Sequence, residues 1–120
     1  PLLKNGLDLD TFLKLGHINV SHRKKGVGPI DIELDKIGKK RKEVMRGQHF
    51  LTVPSTIVKT DLIACIPYHL AKHYDLAIYE MPFEIPPVDY YLYWHVSADH
   101  DLAHIWLREQ IMEVAKTYNH

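Results

Sequence analysis

His49 and Phe50 stand side by side just ahead of an apolar run in "HFLTVPSTIVKTDLIACIP". An imidazole and an aromatic face, set where the free N–H groups and dipole of a following helix favour an anion, suit a small aromatic carboxylate. Position alone also fits a core phenylalanine beside a satisfied loop histidine. The nine histidines raise metal chemistry as well. His69 with His73, and His100 with His104, sit at i,i+4, so each pair could share a helical face. Neither pair carries an HExxH pattern or has a third ligand with an assured place, so solvated helix faces are expected, with no metal site and no cofactor. The sequence has no nucleophile elbow, P-loop or GxGxxG fingerprint, and no carboxylate pair stands out from the surface charge, so an enzyme is not expected.

These residues need elements to position them, and the chain alternates helix with strand. "DLDTFLKLG" predicts a short helix capped by Asp8 and stopped by Gly16, and "HINVS" a strand. After the polar loop "HRKKGVG", Pro29 opens a second helix, with Ile30, Leu34 and Ile37 on one face and Gly38 at its end. "RKEVMRGQ" reads as a weaker strand. The basic run "GKKRK", residues 38 to 42, lacks interleaved aromatics and reads as a solvated loop. Leu51 to Val58 fit a short helix, and Leu62 to Ile66 form the continuous apolar run of a central parallel strand. Pro67 starts another helix through "YHLAKHY", and "LAIYEM" predicts one more strand.

This alternation implies an α/β layer with a largely parallel sheet, whose ligand-facing ends would be Ser21 and His22, His49 and Phe50, and Ile66 and Pro67. "PFEIPPV" breaks the pattern because its prolines continue neither element. Beyond it, "VDYYLYWHV" reads as a strand and "DHDLAHIWLREQIMEVAKTY" as a long amphipathic helix starting near Asp99 or Asp101. Trp94, Trp106, Tyr90, Tyr91 and Tyr93 are the residue types of a core or an interface rather than of a cofactor box.

Composition narrows the class. The 120 residues include 15 Lys and Arg against 15 Asp and Glu, so no global positive field draws nucleic acid to this segment. The length suits one domain with a genuine core. Cys65 in "LIACIP" reads as a small buried thiol, which fits a reducing, cytoplasmic setting. No apolar run is long enough to span a bilayer and no leader pattern is present, so no membrane partner is expected. The chain opens on Pro1 without an initiator Met, which suggests a piece of something longer.

Taken together in order and spacing, "PLL", "LDTFLKLGHINVS", "GPIDIELDKIG", "HFLTVPSTIVKTDLIACIP", "PFEIPP" and "WHVSADHDLAHIWLRE" resemble the C-terminal effector-binding domain of LysR-type transcriptional regulators, closest to the nodulation and aromatic-degradation branch. The resemblance implies a type 2 periplasmic-binding-protein-like α/β fold, with a parallel-rich sheet flanked by helices, present as a partial domain. Residues 1–82 would be the second subdomain, and residues 83–120 the returning hinge strand and C-terminal helix of the first. It makes "HFLTVPSTIV" the lining of an effector cleft and "TDLIACIP" the central strand behind it. His49 and Phe50 match the pair that similar regulators use to contact an inducer, with Ser21, Thr52 and Val53 as neighbours at the cleft edge. Leu102 stands where relatives commonly have Pro, and Pro87 about where some use an arginine on a carboxylate.

The resemblance further implies a small-molecule effector and a homo-oligomer, a dimer or tetramer. DNA would be met only through an N-terminal winged helix-turn-helix outside this chain. Two alternatives use other features: an interaction module in which residues 88–96 and the helix after them find a partner or swap between identical chains, and a metal protein using the paired histidines.

Overall fold

A computed structural model describes residues 3, 5–23 and 25–118. Pro1 and Leu2 of the opening "PLL", Lys24 of the polar loop, and Asn119 and His120 lie outside the described residues. The chain divides into two units, Pro1–Pro86 and Pro87–His120.

In the first unit, α1 (Leu9–Lys14) begins where Asp8 accepts a hydrogen bond from the Thr11 N–H, and β1 (Gly16–Val20) follows at once. Helix α2 (Pro29–Lys36) starts on its proline, whose missing N–H costs nothing in the first turn, and stops at Gly38 with φ of 68°. Strand β2 is Lys42–Gly47. A 3₁₀ turn, Phe50–Thr52, then leads into α3 (Val53–Ile57). The expected single helix from Leu51 is thus split. Pro54 lies in the first turn of α3, where it has no N–H to donate backwards, and the turn before it tightens to 3₁₀. Strand β3 (Ile63–Ala64) and helix α4 (Tyr68–Ala71) complete the unit.

The sheet is parallel with order β2-β1-β3. This corrects the expectation that "LIACI" is central: β1 is the middle strand, and β3 pairs with it over two residues, His17 with Ile63 and Ile18 with Ala64. The burial agrees, since His17, Ile18 and Asn19 are all buried, as a strand covered on both faces must be, whereas Leu62 to Ile66 are only partly covered.

The core gathers one buried residue from each helix, Phe12, Leu34, Val53 and Ala71, around Ile18. Phe12 packs edge-on against His17 and Phe83, with ring centroids 4.5 and 5.4 Å away. Gly16 sits where no side chain fits: a Cβ there would lie 2.7 Å from Leu62 and 2.8 Å from Val44.

"LAIYEM" is not a strand. Its backbone joins no ladder among the described residues, and its tyrosine instead accepts a hydrogen bond at Oη from the Leu3 N–H at 2.9 Å.

In the second unit, "VDYYLYWHV" likewise forms no ladder among the described residues, and a strand exists only through its partner. A 3₁₀ turn (Val96–Ala98) precedes α5 (Leu102–Lys116), which Asp101 caps by accepting from the His104 N–H at 2.8 Å. Tyr90, Tyr91, Tyr93, Trp94 and Trp106 are exposed rather than core. No described helix is long and apolar enough to cross a membrane.

Candidate functional site

The carboxyl ends of β1 and β2 are tied together. Ser21, just past β1, donates its N–H to the carbonyl of Gly47, the last residue of β2, at 2.8 Å. A Cβ on Gly47 would reach Thr52 Oγ1 at 3.8 Å, so the turn after β2 folds back over this end of the strand. Thr52 Oγ1 in turn donates to the carbonyl of His49 at 3.0 Å, which fixes the turn that carries His49 and Phe50. Ser21, Gly47, His49 and Thr52 are therefore linked through contacts at one end of the parallel pair, where open parallel sheets place their ligands.

The individual side chains differ in availability. His49 and Thr52 are exposed, while Ser21 and Phe50 are half-buried. Val53 is 1% exposed and belongs to the core, so it supports the turn from behind. The helix expected to present its N-terminus at Phe50 is a three-residue 3₁₀ turn, so the dipole argument for an anion loses most of its reach. His22 is exposed beyond β1, and Pro67 caps α4 beyond β3.

A polar network braces this end, and the spacing of its residues gave no sign of it. The buried Asn19 donates from Nδ2 to Glu43 at 2.7 Å. Arg46 donates from Nε and Nη2 to the same carboxylate at 2.9 and 3.0 Å. In a regular strand residues 43 and 46 would face opposite ways, but the register of β2 against β1 slips between His17 and Ile18, skipping Val44. The slip brings both side chains to one side. Arg46 also reaches the carbonyls of Arg23 and Gly26 in the loop after Ser21, at 3.3 and 3.4 Å. Hydrogen bonds from Arg46 hold the Glu43 carboxyl below its usual range against the push of desolvation, with Asn19 adding to the effect.

Two further buried groups lie toward the other, amino ends of β1 and β2. Arg41 donates from Nε and Nη2 to the two carboxylate oxygens of Asp31 at 2.8 and 2.9 Å. Its side chain is only 4% exposed, so "GKKRK" is not wholly a solvated loop: Lys39 and Lys40 are exposed, but Arg41 pins α2 to the start of β2. His17 is fully buried, with Nε2 2.7 Å from the Phe12 carbonyl and Nδ1 without a partner among the described residues. Since a carbonyl only accepts, the imidazole carries its proton on Nε2. Desolvation lowers the pKa of His17 and keeps the ring neutral.

The histidine pairs do not share helical faces. Helix α4 ends at Ala71, before His73, and α5 begins at Leu102, after His100, because Asp101 is its cap. Among the described residues no group of three or more His, Cys, Asp or Glu gathers as a metal site. Cys65 is partly buried with Sγ 3.6 Å from Met81 Sδ, and desolvation pushes its thiol up to about 11, so it is an inert packing group at neutral pH.

No family model matches the chain. Among known proteins it is similar to the HTH-type transcriptional activator NahR of Pseudomonas putida, with 29% identity over 118 residues, 95% of this chain and 39% of that protein. The HTH-type transcriptional regulator SyrM 1 of Sinorhizobium fredii is 32% identical over 120 residues, 96% of this chain and 36% of that protein. Among solved structures, the regulatory domain of MexT, a transcriptional activator in Pseudomonas aeruginosa, superposes with a TM-score of 0.74 at 29% identity, covering 92% of this chain and 58% of that one. The chain belongs to the LysR-type transcriptional regulators.

Within this LysR-type family the chain corresponds to the effector-binding domain, and its parallel sheet with flanking helices is part of the periplasmic-binding-protein-like fold of those domains. A transcriptional regulator from Vibrio parahaemolyticus, described as putative, gives a TM-score of 0.79 at 25% identity over 96% of this chain and 56% of that one. This LysR-type chain thus spans well under half the length of NahR and SyrM 1, and a little over half of the solved regulatory chains.

Proposed function

We propose that this chain forms the effector-contacting wall of a LysR-type sensor, with His49, Phe50, Ser21 and Thr52 meeting a small molecule and Val53 backing them. A small aromatic acid is the ligand class, since an exposed imidazole and hydroxyls lie beside a half-buried phenyl ring. The observation that carries the reading is the chain of contacts from Ser21 through Gly47 and Thr52 to His49, which gathers these side chains at the carboxyl end of the sheet.

In this reading residues 1–82 are the second subdomain, and residues 83–120 are the strand and helix that return to the first. The opposite wall of the cleft comes from the part of the regulatory domain that this chain does not span. Effector binding favours one hinge state through unequal affinity for two, and an oligomer relays the shift to winged helix-turn-helix domains outside this chain. Titration with benzoate and its hydroxylated derivatives tests the site. His49→Ala and Phe50→Ala are expected to weaken binding at least about tenfold, one lost charge-assisted or aromatic contact each. Unchanged affinity in both variants would remove the assigned site.

A second reading, an interaction module, rests on the exposed Tyr90, Tyr91, Tyr93, Leu102 and Trp106 of the second unit. It requires the chain to associate, so light scattering that finds a folded monomer at high concentration counts against it.

A further inference from the structure

The turn between Trp94 and α5 is held by nitrogen atoms that must carry no proton. Arg108 donates from Nη1 to His104 Nδ1 at 2.7 Å and to the Ala98 carbonyl at 3.1 Å, and from Nη2 to the Asp99 carbonyl at 3.1 Å. Its guanidinium lies over the Trp94 ring, 4.3 Å from the centroid, and Trp94 Nε1 donates to Asp99 at 3.1 Å. At the other end of the turn, His95 Nδ1 accepts the Ser97 N–H at 3.1 Å and lies 2.8 Å from Ser97 Oγ, capping the 3₁₀ segment.

The partners decide the tautomers. A guanidinium and a peptide N–H can only donate, so both His104 Nδ1 and His95 Nδ1 must accept, and each neutral ring keeps its proton on Nε2. Protonation turns each acceptor into a donor. At His104 it also sets an imidazolium against the Arg108 guanidinium, which loses one of its three acceptors and keeps the carbonyls of Ala98 and Asp99. At His95 it removes the cap of the turn, leaving only the hydroxyl of Ser97 to bond.

We propose that residues 94–108 form an acid-sensitive joint, in which protonation of His95 and His104 releases Arg108 from Trp94 and loosens the connection into α5. Imidazoles change charge within about pH 5–8, so the joint is held at the alkaline side of that window and freed at the acid side. Other titratable groups around the turn bear on this. Asp99 and Asp101 accept from Trp94 Nε1 and the His104 N–H, and as anions they favour imidazolium and so assist the release. Glu109 follows Arg108 on α5, Asp89 and the phenols of Tyr90, Tyr91 and Tyr93 lie on the segment before the turn, and His100 stands between the two aspartates.

Fluorescence of Trp94 in a Trp106→Phe background, followed from pH 8 to pH 5, tests the joint. A reversible transition is expected, unchanged in His100→Gln, reduced in His95→Gln and in His104→Gln, and lost when both are replaced. A flat profile in the starting protein, or an undiminished transition in the double variant, overturns the proposal. Should the double variant fail to fold by circular dichroism, nitrogen-detected histidine spectra of the unaltered chain at pH 8 decide it. Protons on Nε2 of both rings support the joint, and a proton on Nδ1 of either contradicts it.

Discussion

The N–H of Ser21 and the carbonyl of Gly47 meet at 2.8 Å, closing the ends of β1 and β2 into one rim although they stand far apart in sequence. The sheet register brings Val20 opposite Gly47, so the bond extends the ladder by one step past its regular end. Everything proposed to touch an effector hangs from that rim, directly or through the 49–52 turn.

The two glycines of the paired strands respond oppositely to a methyl group. Gly47→Ala meets only an ordinary contact with Thr52 and is expected to change stability by less than about 0.5 kcal/mol. Gly16→Ala drives a Cβ into Leu62 and Val44 and costs about 1–3 kcal/mol. Urea unfolding of both variants checks the contrast, and truncating Leu62 to alanine is expected to lower the cost of Gly16→Ala, since the two sites share one contact.

Arg41→Ala leaves Asp31 without its bidentate partner. Asp31 keeps 28% side-chain exposure and so recovers some hydration, which puts the loss at about 2–3 kcal/mol, below that for a fully buried pair. Arg41→Lys is expected to restore little, because an ammonium cannot make both parallel bonds. Chemical denaturation of the two variants measures both statements.

His17 makes stability depend on pH with a definite sign. Its folded-state pKa is lowered, first by desolvation, so below the ordinary imidazole value of 6.5 the unfolded chain takes up a proton that the folded chain refuses. Stability is full above that value and declines as the pH falls through the window down to the folded pKa. Denaturation midpoints of the first unit, compared at pH 8 and pH 5, are expected to fall on acidification, and to fall less in His17→Phe.

Asp8→Ala and Asp101→Ala each remove a side chain that caps a helix, from the Thr11 N–H and the His104 N–H respectively. Asp101→Ala is expected to cost about 1 kcal/mol, and Asp8→Ala to destabilise α1. For Asp101→Ala, helical circular dichroism and amide exchange in the first turn of α5 report the loss.

Most of the first unit was legible because its signals are local. Asp8, Pro29 and Gly38, and Asp101 in the second unit, mark helix ends by their own local chemistry, and the four-residue recurrence of Ile30 and Leu34 gave α2 its face. What escaped the sequence depends on partners distant in the chain. "LIACI" looked central because it is apolar, yet which strand lies in the middle is a matter of pairing, and the mixed run His17, Ile18, Asn19 took that place with His17 Nε2 bonded to Phe12 and Asn19 Nδ2 to Glu43. "LAIYEM" and "VDYYLYWHV" have the composition of strands but no ladder among the described residues. At the candidate site, adjacency made His49 and Phe50 visible, whereas Arg46 could not be read as a brace because its match to Glu43 depends on the slip at Val44.

The most direct test of the central claim is an amide-resolved NMR titration of the whole regulatory domain that contains this chain with benzoate and its hydroxylated derivatives. The account predicts that the ligand that binds shifts the amides of Ser21, Gly47, His49, Phe50 and Thr52 together, with α5 unaffected. Saturable shifts confined to other residues, with that rim silent, would contradict it.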